Sequence, residues 1–213
     1  MLEIVIAGGW LMVPILLCSV LAVAIILERF IALRRSRVVP RGLPDQVQRW
    51  AAQEELDHQH IDQLRLSSPL GEVLAAALEH RDRRREVIKE AVEDTGRQVV
   101  HSLERFLNTL GTIAGITPLL GLLGTVIGMI RVFSAIMLHG VGDPNEMAGG
   151  ISEALITTAA GLSVAIPTYF FYRYFRGLVR DYVLQMEAQA LKLLQAIEHG
   201  QISRQKFHGR GNG

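Results

Sequence analysis

Between Met147 and Tyr172 the chain has 26 residues, and Glu153 is the one acidic or basic residue among them. A carboxylate in so apolar a stretch is costly to keep ionised unless it is paired or hydrated, and inside a membrane-spanning segment it marks a functional site. It is followed by Ala154, Leu155, Ile156, Thr157, Thr158, Ala159, Ala160 and Gly161, a row of small and hydroxyl-bearing residues. A lone carboxylate amid hydroxyls can accept a proton or coordinate a hard cation, so ion handling is the expected chemistry. At about 100° per residue on a helix, Thr157 lies about 40° and Gly161 about 80° from Glu153, so both can line one surface with it. Thr158 lies about 140° away and shares that surface only if the helix bends or the lining is wide.

A preceding apolar run supplies Thr109, Thr112, Thr117 and Thr125, whose hydroxyls can join a polar path without carrying charge. For any one of them, bonding to its own helix carbonyl is the plain alternative. The same run holds Gly111, Gly115, Gly121, Gly124 and Gly128, with four-residue spacing at Gly111/Gly115 and Gly124/Gly128. Such spacing lets helix backbones approach closely. Gly121, Gly124, Gly128 and Gly161 are the expected packing positions, and Pro167 a local kink. Arg131 is the charge partner available to Glu153 by depth. Its position only eight residues before His139 favours snorkelling to the outer surface instead.

The elements that carry these residues follow from hydropathy. Trp10 to Leu27 is 18 residues without a charge and Leu107 to Ile130 is 24. The Glu153 segment is a third run. At about 1.5 Å rise per residue, about 20 residues cross a hydrocarbon core of about 30 Å. All three runs can span, and no strand pattern is evident. The expected fold is an all-α integral membrane protein with three transmembrane helices, the second and third extending into the cytoplasm. A cleaved signal peptide is disfavoured because Met1 to Gly9 carries only Glu3, where a basic region would be needed.

Of the 22 Lys and Arg residues, 14 lie between Arg29 and Arg105, seven lie from Arg173 onward, and the remaining one is Arg131. Basic residues mark cytoplasmic loops, which places the N-terminus outside and the C-terminus inside. The expected organisation is an outer N-terminus at 1–9, spans at 10–33, 107–138 and 147–175, and a cytoplasmic helical insert at 34–106. An outer loop lies at 139–146, bearing Asp143 and Glu146, a cytoplasmic helical extension at 176–200, and a disordered glycine-rich tail at 201–213. Within the insert, Asp45 to Leu56 reads as a short amphipathic helix, and Ser67 or Ser68 before Pro69 as a helix start. From there the pattern predicts one helix running unbroken into the second span. The run Arg81 to Glu86 reads as a solvated helix face with local ion pairs rather than a nucleic-acid site. Tyr169 to Tyr172, Tyr174 and Phe175 read as an interfacial aromatic belt at the inner boundary. Cys18 is the single cysteine, so no disulfide within the chain is possible. His58 and His60 are too close in sequence to face together on a helix, and neither a nucleotide loop nor a hydrolase triad is legible. No enzyme activity and no cofactor are expected.

Gly121-Leu122-Leu123-Gly124-Thr125-Val126 and Gly150-Ile151-Ser152-Glu153-Ala154-Leu155-Ile156-Thr157-Thr158-Ala159-Ala160-Gly161-Leu162, with Ala165-Ile166-Pro167, resemble the MotA/TolQ/ExbB proton-channel family. The start Gly9-Trp10-Leu11-Met12-Val13-Pro14 and the exit Glu28-Arg29-Phe30 are most similar to its ExbB and TolQ branch. The resemblance implies a bacterial inner-membrane subunit of a motor driven by ion flow. It implies a homopentamer around an ExbD- or TolR-like single-span partner that brings a membrane Asp, and work on a TonB- or TolA-like protein across the periplasm. It also places the family's glutamate at Glu153 and its threonines at Thr125 and Thr158. Ser152 and Thr157 stand where small apolar residues are common, which leaves a sodium-coupled variant open. A TolQ-like envelope role, or a non-conducting scaffold in which Glu153 is a protonated structural residue, are the alternatives.

Overall fold

The computed structural model describes residues 8–52, 58–139 and 144–209, without the side chains of 48, 51–52, 58, 138–139, 144–146 and 200–209. Eight helices and no strand occur among the described residues. They are α1 (Met12–Ala32), α2 (Arg35–Val38), α3 (Leu43–Ala52), α4 (His58–Ser67), α5 (Pro69–Glu79), α6 (Arg85–Leu103), α7 (Leu107–His139) and α8 (Pro144–Gly209). The fold is all-α. Three stretches, Met12–Ala32, Leu107–Met137 and Met147–His199, are long and apolar enough to cross a membrane, which makes this a multi-pass membrane protein. Of the expected loop at 139–146, residues 140–143 with Asp143 lie outside the described residues, as do the N-terminal residues 1–7, the side chains of Glu146, His58 and His139, and 210–213 of the expected tail. The helical backbone of α8 itself continues to Gly209.

The chain forms two compact units: Met1–Arg29 with Phe106–Arg176, and Phe30–Arg105 with Gly177–Gly213. In the first unit, α1 is apolar on all sides and buries only a narrow stripe, Met12, Ile15, Ala22 and Arg29. Val13, Leu17, Val20 and Val23 stay exposed, as suits a helix whose solvent is lipid. At its C-terminal end the buried Arg29 pairs with Glu28, and its guanidinium lies 5.7 Å from the Phe106 ring centroid.

Helices α7 and α8 meet along facing stripes of small residues. In α7 the buried stripe runs Leu110, Ala114, Thr117, Gly121, Gly124, Gly128, Val132, and in α8 it runs Ala154, Thr157, Gly161, Ala165, Thr168. Steps of three and four residues keep each stripe on one face. Pro118 and Pro167 lie inside their helices and end neither. Pro167 has no N–H to give the Ser163 carbonyl, which is the bond a helix loses at proline.

In the second unit, Ser68 caps α5: its hydroxyl accepts from the Gly71 N–H at 3.1 Å, with Pro69 as the first helical residue. This is the helix start that the sequence predicts. Leu70, Leu74 and Leu78 of α5, Ile88 and Val99 of α6, and Val179, Tyr182, Met186 and Leu193 of α8 are among its buried aliphatic and aromatic side chains. Tyr182 donates its phenol to the Leu33 carbonyl at 2.8 Å.

One expectation about this region is corrected. The helix does not run unbroken from Pro69 into the second span. It stops at Glu79, restarts at Arg85, stops again at Leu103 and restarts at Leu107. The first break falls in the Arg81 to Glu86 run, so Arg81 to Arg84 form a connection and only Arg85 and Glu86 lie on a helix. Arg81 lies 3.8 Å from its neighbour Asp82, whereas Arg85 reaches across to Glu198 of α8 at 3.1 Å. The second break places Phe106 at φ 62, a left-handed conformation that a bulky residue adopts only when its surroundings hold it there. Neither break is marked by Gly or Pro, so neither is legible as punctuation.

Candidate functional site: an ion pair at the end of a glycine seam

The site is built on the α7–α8 contact. A Cβ added at Gly161 would lie 2.8 Å from the Thr117 carbonyl oxygen and 3.1 Å from Gly121 Cα. One added at Gly128 would lie 2.8 Å from both Ala154 Cβ and the Gly150 carbonyl oxygen, and one at Gly124 would collide with the Thr157 hydroxyl. The expected packing residues Gly121, Gly124, Gly128 and Gly161 thus face α8 or α7 directly; at Gly124, Gly128 and Gly161 the separations are ones that real side chains do not reach, and at Gly121 a Cβ would be tight, 3.1 Å from Thr158 Cα. Of the pair Gly111/Gly115, Gly111 leaves room for the Tyr172 ring, 3.0 Å from its Cβ position, whereas Gly115 faces open space.

This register sets the level of each polar side chain. Val132 of α7 lies against Gly150 of α8, and Gly128 against Ala154. Arg131 and Glu153 fall at that same level, and they meet. Arg131 Nη1 donates to both carboxylate oxygens of Glu153, at 2.7 and 2.6 Å. The expectation that Arg131 snorkels away is therefore corrected. Its side chain is 52% exposed and that of Glu153 only 19%, so the guanidinium reaches inward from the open side to a tucked carboxylate. The reason is the antiparallel register, which fixes relative depth, while distance from the loop in the linear sequence does not. At this contact geometry, in an environment less polar than water, each charge is the other's main compensation.

The threonines behave differently from the expected lining. Thr157 is buried, 1% exposed, and its hydroxyl donates within α8 to the carbonyls of Glu153 at 3.0 Å and Ala154 at 2.9 Å. It shares the helical side of Glu153, but that side is the interhelical seam. Gly161 is in the same position. Thr158, at the angle that the wheel left unexplained, donates to the Gly121 carbonyl of α7 at 2.8 Å. Neither bending nor a wide lining is needed to account for it. Thr125 donates to the Leu122 carbonyl of its own helix at 2.6 Å, rather than to Glu153, Thr157 or Thr158. Thr112 and Thr117 also bond their own helix, at 3.0 and 2.6 Å. Pro167 is exposed and touches none of these groups through a hydrogen bond.

One participant escaped sequence reasoning. Gly9, at φ +69, turns the chain into α1, with the Met12 N–H donating to its carbonyl at 3.2 Å. It lies directly against Glu153: a Cβ there would collide with Oε1 and stand 3.0 Å from Cδ. A glycine next to another glycine before an apolar run is the only signal, and it reads as an ordinary turn.

The arrangement is a carboxylate near the end of a spanning helix, charge-paired to a second helix and covered by the turn that opens a third. The model of the MotA/TolQ/ExbB proton channel family matches residues 65–188. ExbB-like biopolymer transport protein 3 of Synechocystis sp. is 33% identical over 217 aligned positions, spanning 94% of this chain and 98% of that one. ExbB-like biopolymer transport protein 1 of the same organism is 36% identical over 183 positions, 84% of this chain and 71% of that one. The Tol-Pal system protein TolQ of Haemophilus influenzae is 41% identical over 73 positions, 34% of this chain and 32% of that one. With a match across more than half its length, a near full-length relative and three apolar spanning helices, the chain belongs to the MotA/TolQ/ExbB proton channel family.

Proposed function

We propose that this chain is an ExbB-like inner-membrane subunit of a motor driven by ion-motive force. With an ExbD-like single-span partner, it couples proton flow to work on a TonB-like protein that crosses the periplasm, and so energises transport at the outer membrane. It catalyses no covalent chemistry. The N-terminus lies in the periplasm and the C-terminus in the cytoplasm, and five copies surround the partner's helices. The single observation that carries the reading is Glu153, an acid tucked into a spanning helix and held by a guanidinium at 2.6 Å. A structural residue of this kind is expensive to keep in a membrane, and ion handling is the use that justifies it. In this reading Glu153 handles the ion. Thr125 and Thr158 supply polar atoms along the path to the partner's carboxylate, and Thr157 ties the backbone beneath Glu153.

The ExbB role is preferred to the TolQ role on coverage. Relatives named ExbB-like align with up to 94% of the chain, while the TolQ relative aligns with 34%. The test is Glu153→Gln, which removes the charge and the titrating group at nearly constant shape, with Glu153→Asp as control. Motive-force-dependent work in cells is expected to be lost in Gln and retained in part in Asp. Full work by the Gln variant would sink the proton role and favour a scaffold.

A further inference from the structure

Two groups converge on one carboxylate, and a third ties down the backbone that carries it. Arg131 Nη1 donates to both oxygens of Glu153 from α7, at 2.7 and 2.6 Å. Gly9, in the turn before α1, lies so close to Oε1 that a side chain at its position would have to push the carboxylate aside. On α8 itself, Thr157 bonds the Glu153 carbonyl at 3.0 Å and ties the backbone into the seam. The seam beneath is full, with Thr157 at 1% and Ala154 at 4% exposure, so the carboxylate has no room to turn inward. The side left to it is the side of Arg131. From α7 the facing charge is Arg131, the opening turn of α1 presents the backbone of Gly9, and the α8 neighbours Ser152, Ala154 and Thr157 carry none.

A guanidinium cannot lose its proton under these conditions, so only one partner of the pair can change charge. If Glu153 became neutral while still in contact, it would leave a cation at membrane depth without compensation. Proton uptake by Glu153 and departure of Arg131 are therefore one event. We propose that Arg131 is a positioning residue that holds Glu153 turned out of the seam, and that its release gates proton uptake there, with Gly9 setting how closely the turn before α1 shuts over the pair. This rests on the reading that Glu153 handles ions.

The test uses the full chain in membranes at neutral pH with no imposed gradient. Dicyclohexylcarbodiimide, which reacts with protonated carboxyls, is applied, and modification at Glu153 is read by peptide mass spectrometry. Glu153→Gln identifies the labelled site. Wild type is expected to label slowly and Arg131→Gln several-fold faster. Arg131→Lys, which keeps the charge, stays near wild type, a rescue that a merely structural role would not produce. Gly9→Ala, which keeps both charges but pushes the carboxylate off Arg131, also labels faster. Wild-type labelling rates in both Arg131→Gln and Gly9→Ala overturn the proposal, and if Arg131→Gln does not accumulate in the membrane, the Gly9→Ala result decides alone. Failure of the ion-handling reading is a separate result: Glu153→Gln would support full work while the labelling contrast persisted.

Discussion

The two units of this chain hold helices together by opposite means. In the membrane unit α7 and α8 touch through Gly121, Gly124, Gly128, Gly150 and Gly161, with hydroxyls bonded to nearby carbonyls. In the other unit the contacts are made by Leu70, Leu74, Leu78, Val99, Met186 and Leu193, with a capped helix start and surface ion pairs such as Lys89 with Glu93. On the proposed topology, with the second unit in the cytoplasm, the difference follows from the solvent. In water, burying one large aliphatic side chain is worth about 1.5–3 kcal/mol, so bulk holds helices together. In lipid the surroundings are as apolar as leucine, so no such drive exists, and close backbone approach with interhelical hydrogen bonds takes over. The candidate site sits in the second kind of contact, where one added methyl matters and polar groups can be held near lipid.

Substitutions that exchange the two strategies can break this contrast. The largest effect is expected where bulk is removed from the aliphatic unit. Leu74→Ala, at a position 1% exposed, should destabilise the chain by about 2–5 kcal/mol, read as a lower thermal midpoint in detergent. Adding bulk to the seam comes next. Gly124→Val forces its side chain into Thr157 and should cost about 1–3 kcal/mol, while Gly115→Ala, which faces open space in the same helix, should be neutral or mildly stabilising. Equal losses at Gly124 and Gly115 would remove the seam from the account. The smallest effect belongs to a single interhelical hydrogen bond. Thr158→Val deletes the bond to the Gly121 carbonyl and should lower stability by about 1 kcal/mol or less, with motive-force coupling reduced more than assembly.

Much of this architecture is legible in the sequence, because the signals are compositional or periodic. Three charge-free runs predict three spans, glycine spacing predicts close packing, and a single acid in the third run predicts the candidate site. What sequence cannot supply is the register between helices. Arg131 looks ready to snorkel when measured from His139, and its meeting with Glu153 emerges only once Gly128 is opposite Ala154. A helical wheel gives Thr157 the right side but not what that side faces, which is α7. Gly9 reaches Glu153 across more than a hundred residues of chain, and no local pattern encodes that contact. The breaks after Glu79 and Leu103 carry no Gly or Pro, so tertiary contacts rather than local propensity decide them.

The central claim is that Glu153 is the ion-handling residue of this subunit, and proton flux tests it most directly. The complex of the full chain and its single-span partner, reconstituted into vesicles, is given an inward proton gradient, and internal acidification is followed with a trapped dye. The account predicts measurable uptake in wild type, reduced uptake in Glu153→Asp, and none above protein-free vesicles in Glu153→Gln. Uptake by Glu153→Gln at the wild-type rate would contradict it.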